Sequence, residues 1–285
     1  MDKLSKASCV VLVPVHKWPL TPQEHYSVDR TFRLLSPHYP CVLLLPERLS
    51  NVVSESLSHW QHQVVSNKYL SSTKSYSRML MASWFYDLFI SYEYMLLCQP
   101  DAMLISGDLA PWLDKGFSYV GAPWLKNKPK KGEKPEYLGV GNGGFSLRRI
   151  ADFRRVLRGW RYLPNNHHFA PHKLLQPLVW FKHRLLYAWN RPPLQYHNNE
   201  DLFWGMIVPR HCEFFTLPTA EEALAFAFEA APEACYHHLG QVLPLGCHAW
   251  EKFEPEFWRK LGSQGIAGDL RLSNDFFKPK NGNAL

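Results

Sequence analysis

The stretch Cys9-Val-Val-Leu-Val-Pro14 is a short apolar run with β-branched character, which predicts a strand buried inside a sheet. A helix is predicted to follow, with Thr21 as its N-cap and Glu24 three residues later in the arrangement of a capping box. The next apolar run, Cys41–Leu45, predicts a second strand. This strand–helix–strand order with short connections is typical of parallel sheets.

Further along the chain the same alternation continues. The segment Ser75–Ile90 is apolar on nearly all sides and predicts one long buried helix, and Tyr94–Cys98 predicts a third strand. We therefore expect an α/β fold with a mostly parallel, doubly wound central sheet flanked by helices. Ligands of such sheets bind beyond the carboxyl ends of the strands. Two polar segments fall there, Pro14-Val-His-Lys17 and Gln99-Pro-Asp101.

The middle of the chain carries a glycine-rich stretch, Tyr137-Leu-Gly-Val-Gly-Asn-Gly-Gly-Phe-Ser-Leu-Arg148. Its glycines predict backbone with φ > 0 that approaches a ligand closely. It fits neither a dinucleotide fingerprint nor a P-loop, because the glycine spacing differs and no Lys-Ser/Thr pair follows. Phe145-Ser-Leu147 is predicted to form a short strand that leads into a basic helix.

Composition is ordinary for a folded protein: of 285 residues, 46% are hydrophobic and 20% are charged. The net charge of +7 favours polyanions, phosphorylated ligands or an anionic membrane surface as partners. The first apolar run is too short for a signal-peptide core or a membrane span. These features predict a cytoplasmic protein.

Two charged segments each have a structural and a functional interpretation. Residues 126–136 form a basic loop that is either simply solvated or a flap over a diphosphate. Arg148–Arg191 holds ten basic residues against one acid, Asp152. It is either a packed helical segment with a solvated basic face or an interfacial segment that meets anionic lipid.

The cysteines have no CxxC spacing, and Cys9, Cys41 and Cys98 fall in or beside strand-like runs, where a thiol packs as a small hydrophobe. A zinc cluster is the alternative for a later group, although its spacing matches no standard structural site. That group comprises Cys235, His237, His238, Cys247 and His248.

Asp101 directly follows a buried strand, where a carboxylate needs a partner. It either caps a turn or binds a divalent cation that bridges a diphosphate. The carboxylates of Asn199-Glu-Asp201 begin a predicted helix, and interaction with the helix dipole alone accounts for them.

Taken in order, six stretches resemble a bacterial glycosyltransferase-like (DUF5672-like) domain family of polysaccharide biosynthesis proteins with a GT-A-type fold. They are Val13-Pro-Val15, Tyr94–Asp101, Tyr137–Arg148, Asn199-Glu-Asp-Leu-Phe-Trp204, Ala223–Glu229 and Pro244-Leu-Gly-Cys-His-Ala-Trp250.

The resemblance implies roles for particular residues. GT-A enzymes carry Asp-x-Asp at the strand end, but here Gln99 replaces the first acid, so only Asp101 maps onto the metal-contacting position. His248 corresponds to a late metal ligand, which implies Mn²⁺ or Mg²⁺ as cofactor. Asp201 is the implied general base of an inverting transfer, with Glu200 as second choice.

The residues predicted to bind the nucleotide-diphospho-sugar donor include His16, Lys17 and Lys74, for which a plain surface charge is the alternative. The full set is Pro14, His16, Lys17, Lys74, Gln99, Asp101, Gly141, Asn142, Gly143 and Gly144.

The implied function is transfer of a sugar, with UDP the favoured nucleotide, to a surface polysaccharide or lipid-linked glycan. The implied location is cytoplasmic, with a peripheral position on the inner membrane face as an option, and nucleic acid is not an expected partner. Two alternatives stay open: a catalytically inactive carbohydrate- or lipid-binding protein, which Gln99 favours, and a nucleotidyltransferase.

A single domain is predicted over residues 1–268. It comprises a nucleotide-binding half, 9–125, and a donor and acceptor half, 137–260, which contains a basic helical insertion, 149–197. A loose tail, 269–285, is expected to follow.

Overall fold

A computed structural model describes residues 7–130, 132–159, 162–163, 168–169, 178, 181, 199–263, 272 and 276. Most of the predicted basic insertion 149–197 and nearly all of the predicted tail 269–285 lie outside these residues. No helix in the described ranges is both long and apolar enough to span a membrane.

A six-stranded sheet forms the centre of the molecule, with strand order β3-β2-β1-β4-β9-β6. Strands β1 to β4 run parallel, and β9 is antiparallel to both of its neighbours, β4 and β6. The prediction of a mostly parallel α/β sheet is confirmed. The strands are β1 Ala7–Pro14, β2 Cys41–Pro46, β3 Gln61–Val65, β4 Tyr92–Cys98, β5 Met103–Leu104, β6 Tyr119–Gly121, β7 Pro123–Leu125, β8 Tyr137–Val140, β9 Phe145–Arg149, β10 Tyr162–Leu163, β11 His168–Phe169, β12 Ala227–Phe228 and β13 Gly246–Cys247.

Helices cover both faces of this sheet, and others pack against the smaller sheet β12-β13-β5. They are α1 Pro22–Leu35, α2 Ser50–Ser56, α3 Thr73–Leu80, α4 Ser83–Asp87, α5 Ala110–Asp114, α6 Ile150–Arg158, α7 Glu200–Leu202, α8 Val208–His211, α9 Ala220–Phe226, α10 Pro232–His238 and α11 Pro255–Ser263. A π-helical turn, Phe203–Ile207, joins α7 to α8. Shorter sheets accompany the main one: β12-β13-β5, and the antiparallel pairs β7-β8 and β10-β11.

Strand β1 shows why the sheet is covered on both faces. Val11 and Val13 belong to one apolar core with α1, whereas Val10 and Leu12 belong to a second core with α3, α4 and α6. Successive side chains of a strand point to opposite faces, so an unbroken apolar run requires two apolar layers.

Local signals at the first helix are confirmed. The Thr21 hydroxyl accepts a hydrogen bond from the Glu24 N–H at 3.2 Å, and a Glu24 carboxylate oxygen accepts one from the Thr21 N–H at 2.9 Å. This reciprocal capping box fixes the chain just after the carboxyl end of β1.

The prediction of one long helix over Ser75–Ile90 is wrong. The chain forms two shorter helices, α3 and α4, separated at Met81 and Ala82, and Ala82 has an extended backbone. The Tyr86 hydroxyl donates to the Leu80 carbonyl at 2.8 Å and satisfies an end group of α3. The prediction of burial holds only in part, because Met79, Leu80 and Phe85 are buried whereas Trp84, Leu88 and Ile90 are exposed.

Candidate active site

A pocket of about 560 Å³ lies beyond the carboxyl ends of β1 and β4. The start of α3 and the segment after β13 complete its walls. Five of the predicted donor-binding residues line it, namely Pro14, His16, Lys17, Gln99 and Asp101. Lys74 is exposed on α3 and is not among the lining residues. The sheet topology therefore brings two strand-end segments together, as parallel strands predict.

Lys17 reaches this pocket from the loop after β1. Its ammonium lies 2.8 Å from a Glu24 carboxylate oxygen, and its side chain is 47% exposed. Because Glu24 is held in the capping box of α1, this ion pair fixes the position of the lysine at the pocket.

The glycine-rich loop adjoins the pocket through Gln99, whose N–H donates to the Gly144 carbonyl at 2.7 Å. The expectation that its glycines adopt positive φ is wrong, because the loop residue with positive φ is Asn142, at 94°. Gly141 and Gly144 are needed for close packing instead. A Cβ on Gly141 would lie 2.0 Å from the Trp124 ring, and one on Gly144 would lie 2.0 Å from His248 Nε2.

Asn142 holds this loop together. Its Oδ1 accepts hydrogen bonds from the N–H groups of Gly144 at 2.8 Å and Phe145 at 3.2 Å. The side chain is buried, and the N–H groups of Gly141 and Gly143 also have acceptors within the protein. The predicted binding of the donor by these residues stays a prediction, and these hydrogen bonds show that their polar groups stabilise the loop itself.

Asp101 and His248 lie side by side although they are far apart in sequence. His248 Nε2 lies 3.4 Å from Asp101 Oδ1 and has no aligned hydrogen-bond partner. Its other ring nitrogen, Nδ1, lies 2.8 Å from Glu229 Oε1. Lys252 Nζ lies 3.3 Å from the second oxygen of Asp101.

These contacts set the charge states of the cluster. Burial by itself raises the pKa of Asp101, but His248 and then Lys252 outweigh it and lower that pKa to about 2. Burial by itself lowers the pKa of His248, but Asp101 and Glu229 raise it to about 9. Asp101 is therefore ionised, and without another cation beside it His248 carries a proton.

The donor set of Asp101 and His248 fits a divalent cation. Imidazole nitrogens and carboxylate oxygens are both common ligands of divalent metal ions, and here Nε2 and Oδ1 lie 3.4 Å apart. A second observation that favours a cation here is the buried Nε2 of His248, which has no aligned hydrogen-bond partner. The described residues contain no group of three or more His, Cys, Asp and Glu side chains arranged around one point. The zinc cluster considered as an alternative is not formed in the described residues, and an ion at Asp101 would need further ligands from water or substrate.

Asp201 lies on the other side of the loop. Its Oδ2 accepts from the Gly143 N–H at 3.3 Å, and its Oδ1 accepts from the Leu202 N–H at 2.9 Å. Burial raises the pKa of Asp201 above its ordinary value, and the two backbone hydrogen bonds oppose the rise. A carboxylate with a raised pKa is a stronger proton acceptor.

Glu200 has a different environment. Its two oxygens accept from the Arg148 guanidinium at 2.8 and 3.3 Å, and both side chains are buried. Burial raises the pKa of Glu200 above its ordinary value, and the charge of the Arg148 guanidinium paired with it opposes the rise. This geometry favours Asp201 over Glu200 as the base, which stays a prediction.

Two residues of the site were not assigned a role from the sequence. Glu229 directly follows β12 and Lys252 follows β13 by a few residues. For Glu229 a signal existed, since it is a carboxylate at a strand end, as Asp101 is. Lys252 gave no signal, because an isolated lysine in a loop is usually a surface charge.

The profile of DUF5672, a family of proteins of unknown function, matches residues 59–248. The chain belongs to this family. The matched range contains Asp101, the glycine-rich loop, Asp201, Glu229 and His248, whereas β1 and the pocket residues after it precede it. No curated protein matches the chain in sequence.

Several solved structures are similar to the chain at low identity. The apo form of the glycosyltransferase GlyE of Streptococcus pneumoniae TIGR4 has 12% identity and a TM-score of 0.41, with 89% of this chain and 59% of that chain covered. The chain thus spans less than two thirds of the GlyE structure. Mouse xyloside xylosyltransferase 1 has 11% identity and a TM-score of 0.45, covering 85% and 96%.

A third such structure is a glycosyltransferase involved in the glycosylation of the major capsid of PBCV-1. It has 12% identity and a TM-score of 0.39, covering 85% of this chain and 92% of that one. Likenesses at these TM-scores carry neither a substrate nor a reaction over to this member of DUF5672.

Proposed function

We propose that this protein is a glycosyltransferase that transfers a sugar from a nucleotide-diphosphate donor to a hydroxyl group of a glycan, with inversion at the anomeric carbon. The observation that carries the proposal is the convergence of three elements at one edge of the sheet. They are the pocket beyond β1 and β4, the Asp101–His248 pair at its margin, and Asp201 across the glycine-rich loop.

The pocket offers two lysines for an anionic donor. Lys17 and Lys252 both line the pocket, and each ammonium pairs with a carboxylate while the lysine side chain is partly exposed. Ammonium groups held in this way favour phosphate oxygens. The two lysines support a phosphorylated donor, and the choice of a nucleoside diphosphate, with UDP as the favoured nucleotide, comes from the family resemblance.

Asp101 and His248 are the residues that would hold Mn²⁺ or Mg²⁺. When bound, such an ion neutralises the charge of the leaving diphosphate. His248 must give up its ring proton to act as a ligand, so metal binding and deprotonation of this ring are coupled.

Asp201 would accept the proton of the acceptor hydroxyl. The acceptor oxygen forms a bond to the anomeric carbon while the bond from that carbon to the diphosphate oxygen breaks. The diphosphate leaves with the electron pair, and the hydroxyl proton moves to the Asp201 carboxylate. Its raised pKa suits this task, because a carboxylate at the ordinary value accepts a proton less readily.

The proposed acceptor is a surface polysaccharide or a lipid-linked glycan. The basic segment that motivates the lipid alternative lies mostly outside the described residues. Contact with an anionic membrane surface is therefore part of the proposal and rests on the sequence alone.

The substitution Asp201→Asn tests the catalytic part. We expect transfer to fall by about 10²-fold or more, the range for loss of a general base. Binding of UDP should stay within about twofold, because the amide keeps the shape of the carboxylate. The measurements are product formation across a panel of nucleotide sugars and calorimetric binding of UDP.

An Asp201→Asn variant with wild-type turnover would remove the base assignment. The second candidate, a binding protein that retains the pocket without turnover, is favoured by Gln99 at the position of the first acid. It predicts UDP or glycan binding with no transfer by the wild-type protein for any donor in the panel.

A further inference from the structure

Glu229 is placed beside His248 by the pairing of two short strands. Phe228 in β12 is the register partner of Cys247 in β13, so the residues that follow each strand emerge together. The His248 N–H donates to the Phe228 carbonyl at 2.9 Å, which continues this pairing by one residue. The backbone thus fixes the carboxylate and the ring next to each other.

The side-chain contact is specific to one ring nitrogen. Glu229 Oε1 lies 2.8 Å from His248 Nδ1, and both side chains are largely buried, with exposed fractions of 21% and 16%. The amide of Asn142 lies 3.1 Å from the same nitrogen. That amide nitrogen can only donate, so of these two neighbours only the Glu229 carboxylate can accept a hydrogen bond from Nδ1–H.

This arrangement leaves Nε2 to face Asp101. A carboxylate that accepts a hydrogen bond from Nδ1–H stabilises the proton on Nδ1. When the ring is neutral, Nε2 then carries the lone pair. The glycine-rich loop also restricts the ring, because Gly144 packs so closely against His248 that a Cβ at this position would clash with the ring. Carboxylates bound to the far nitrogen of a ligating histidine orient the ring and increase its basicity.

We propose that Glu229 is a positioning residue: it holds His248 so that Nε2 and Asp101 Oδ1 face one divalent cation. The inference rests on the proposed function, since the cation serves a nucleotide-diphosphate donor. Glu229 itself contacts neither donor nor ion in this role and acts through the imidazole.

The test measures metal affinity directly and does not depend on turnover. Mn²⁺ is titrated into the full-length protein at saturating UDP and followed by electron paramagnetic resonance, with wild type, Glu229→Gln and Glu229→Ala. We expect Glu229→Gln to weaken Mn²⁺ binding about tenfold. The glutamine amide oxygen can still accept a hydrogen bond from Nδ1–H, but it carries no negative charge. Glu229→Ala should weaken it further, up to about 100-fold, as expected for loss of such a partner.

Glu256→Gln is the matched control, because Glu256 is exposed on α11 and pairs there with Arg259. It should bind Mn²⁺ as wild type does. Thermal melting of each variant separates the proposal from a purely structural role. A Glu229→Gln protein that melts at a lower temperature but binds Mn²⁺ normally would overturn the inference.

Two further outcomes separate this inference from the proposed function. If wild type binds UDP equally well with Mn²⁺ and with EDTA and takes up no Mn²⁺, the positioning role is overturned and the transferase proposal survives. If calorimetry detects no binding of any nucleoside diphosphate, with or without Mn²⁺, both proposals are overturned.

Discussion

Two carboxylates flank the glycine-rich loop and pair with basic side chains, but they occupy opposite environments. Both carboxylate oxygens of Glu200 accept hydrogen bonds from the Arg148 guanidinium, and both side chains are almost fully buried. Glu229 binds one nitrogen of His248 at the margin of a pocket, and the other nitrogen of that ring has no aligned partner. In the Glu200–Arg148 pair both carboxylate oxygens are engaged, whereas in the Glu229–His248 pair Nε2 of the ring can still bind a ligand.

This difference distinguishes an ion pair that stabilises the fold from one that can take part in ligand binding. A buried ion pair holds elements in register, because either charge without the other is very costly. A pair at a pocket margin can exchange partners when a ligand arrives. Sequence chemistry alone does not separate the two, since both are a carboxylate beside a base.

The largest effect should come from breaking the Glu200–Arg148 pair. Glu200→Ala leaves the Arg148 guanidinium buried without its partner, and we expect a loss of about 3–5 kcal/mol in the free energy of unfolding. Urea denaturation measures this change. The exposed pair Asp29–Arg33 on α1 is the control, and Asp29→Ala should cost no more than about 0.5 kcal/mol. Equal denaturation midpoints for the two variants would mean that Glu200 is not a structural residue.

A smaller effect is expected where the loop packs on the second pair. Gly144→Ala places a Cβ 2.0 Å from His248 Nε2, so either the ring or the loop must move. Overpacking of this kind costs about 1–3 kcal/mol. Gly139→Ala is matched in chemistry, but its nearest neighbouring atom would be 3.6 Å away, so thermal melting should hardly change. If both variants melt alike, the ring is not confined as described.

The smallest effect concerns Asp201, between the two regions. Its pKa is raised above the ordinary 3.8 by burial, and the base must be ionised to accept a proton. Activity should therefore fall as pH falls through this raised pKa, and the acid limb of kcat/KM should lie above pH 3.8. Initial rates across pH, with protein integrity followed by circular dichroism, measure this limb. A profile that stays flat down to pH 4 would contradict a raised pKa at the base.

Much of the framework was predictable because the relevant forces are local. The apolar run at Cys9–Pro14 and the capping box at Thr21 and Glu24 depend on neighbours within one turn or strand, and both formed as expected. The position of the pocket followed as well, since the carboxyl ends of adjacent parallel strands meet at one edge. The pairing of Asp101 with His248 was predicted from a family resemblance and not from local pattern.

What only the tertiary structure decided is how each charged residue is used. Glu200 and Asp201 are adjacent in sequence, yet one is bound to a buried arginine and the other accepts from the backbone of the loop. Glu229 reaches His248 only because β12 and β13 pair. Sequence patterns record burial and secondary structure, which depend on local spacing. The role of a charged residue depends on its solvent exposure and on the partners that the fold brings to it from distant positions in the sequence.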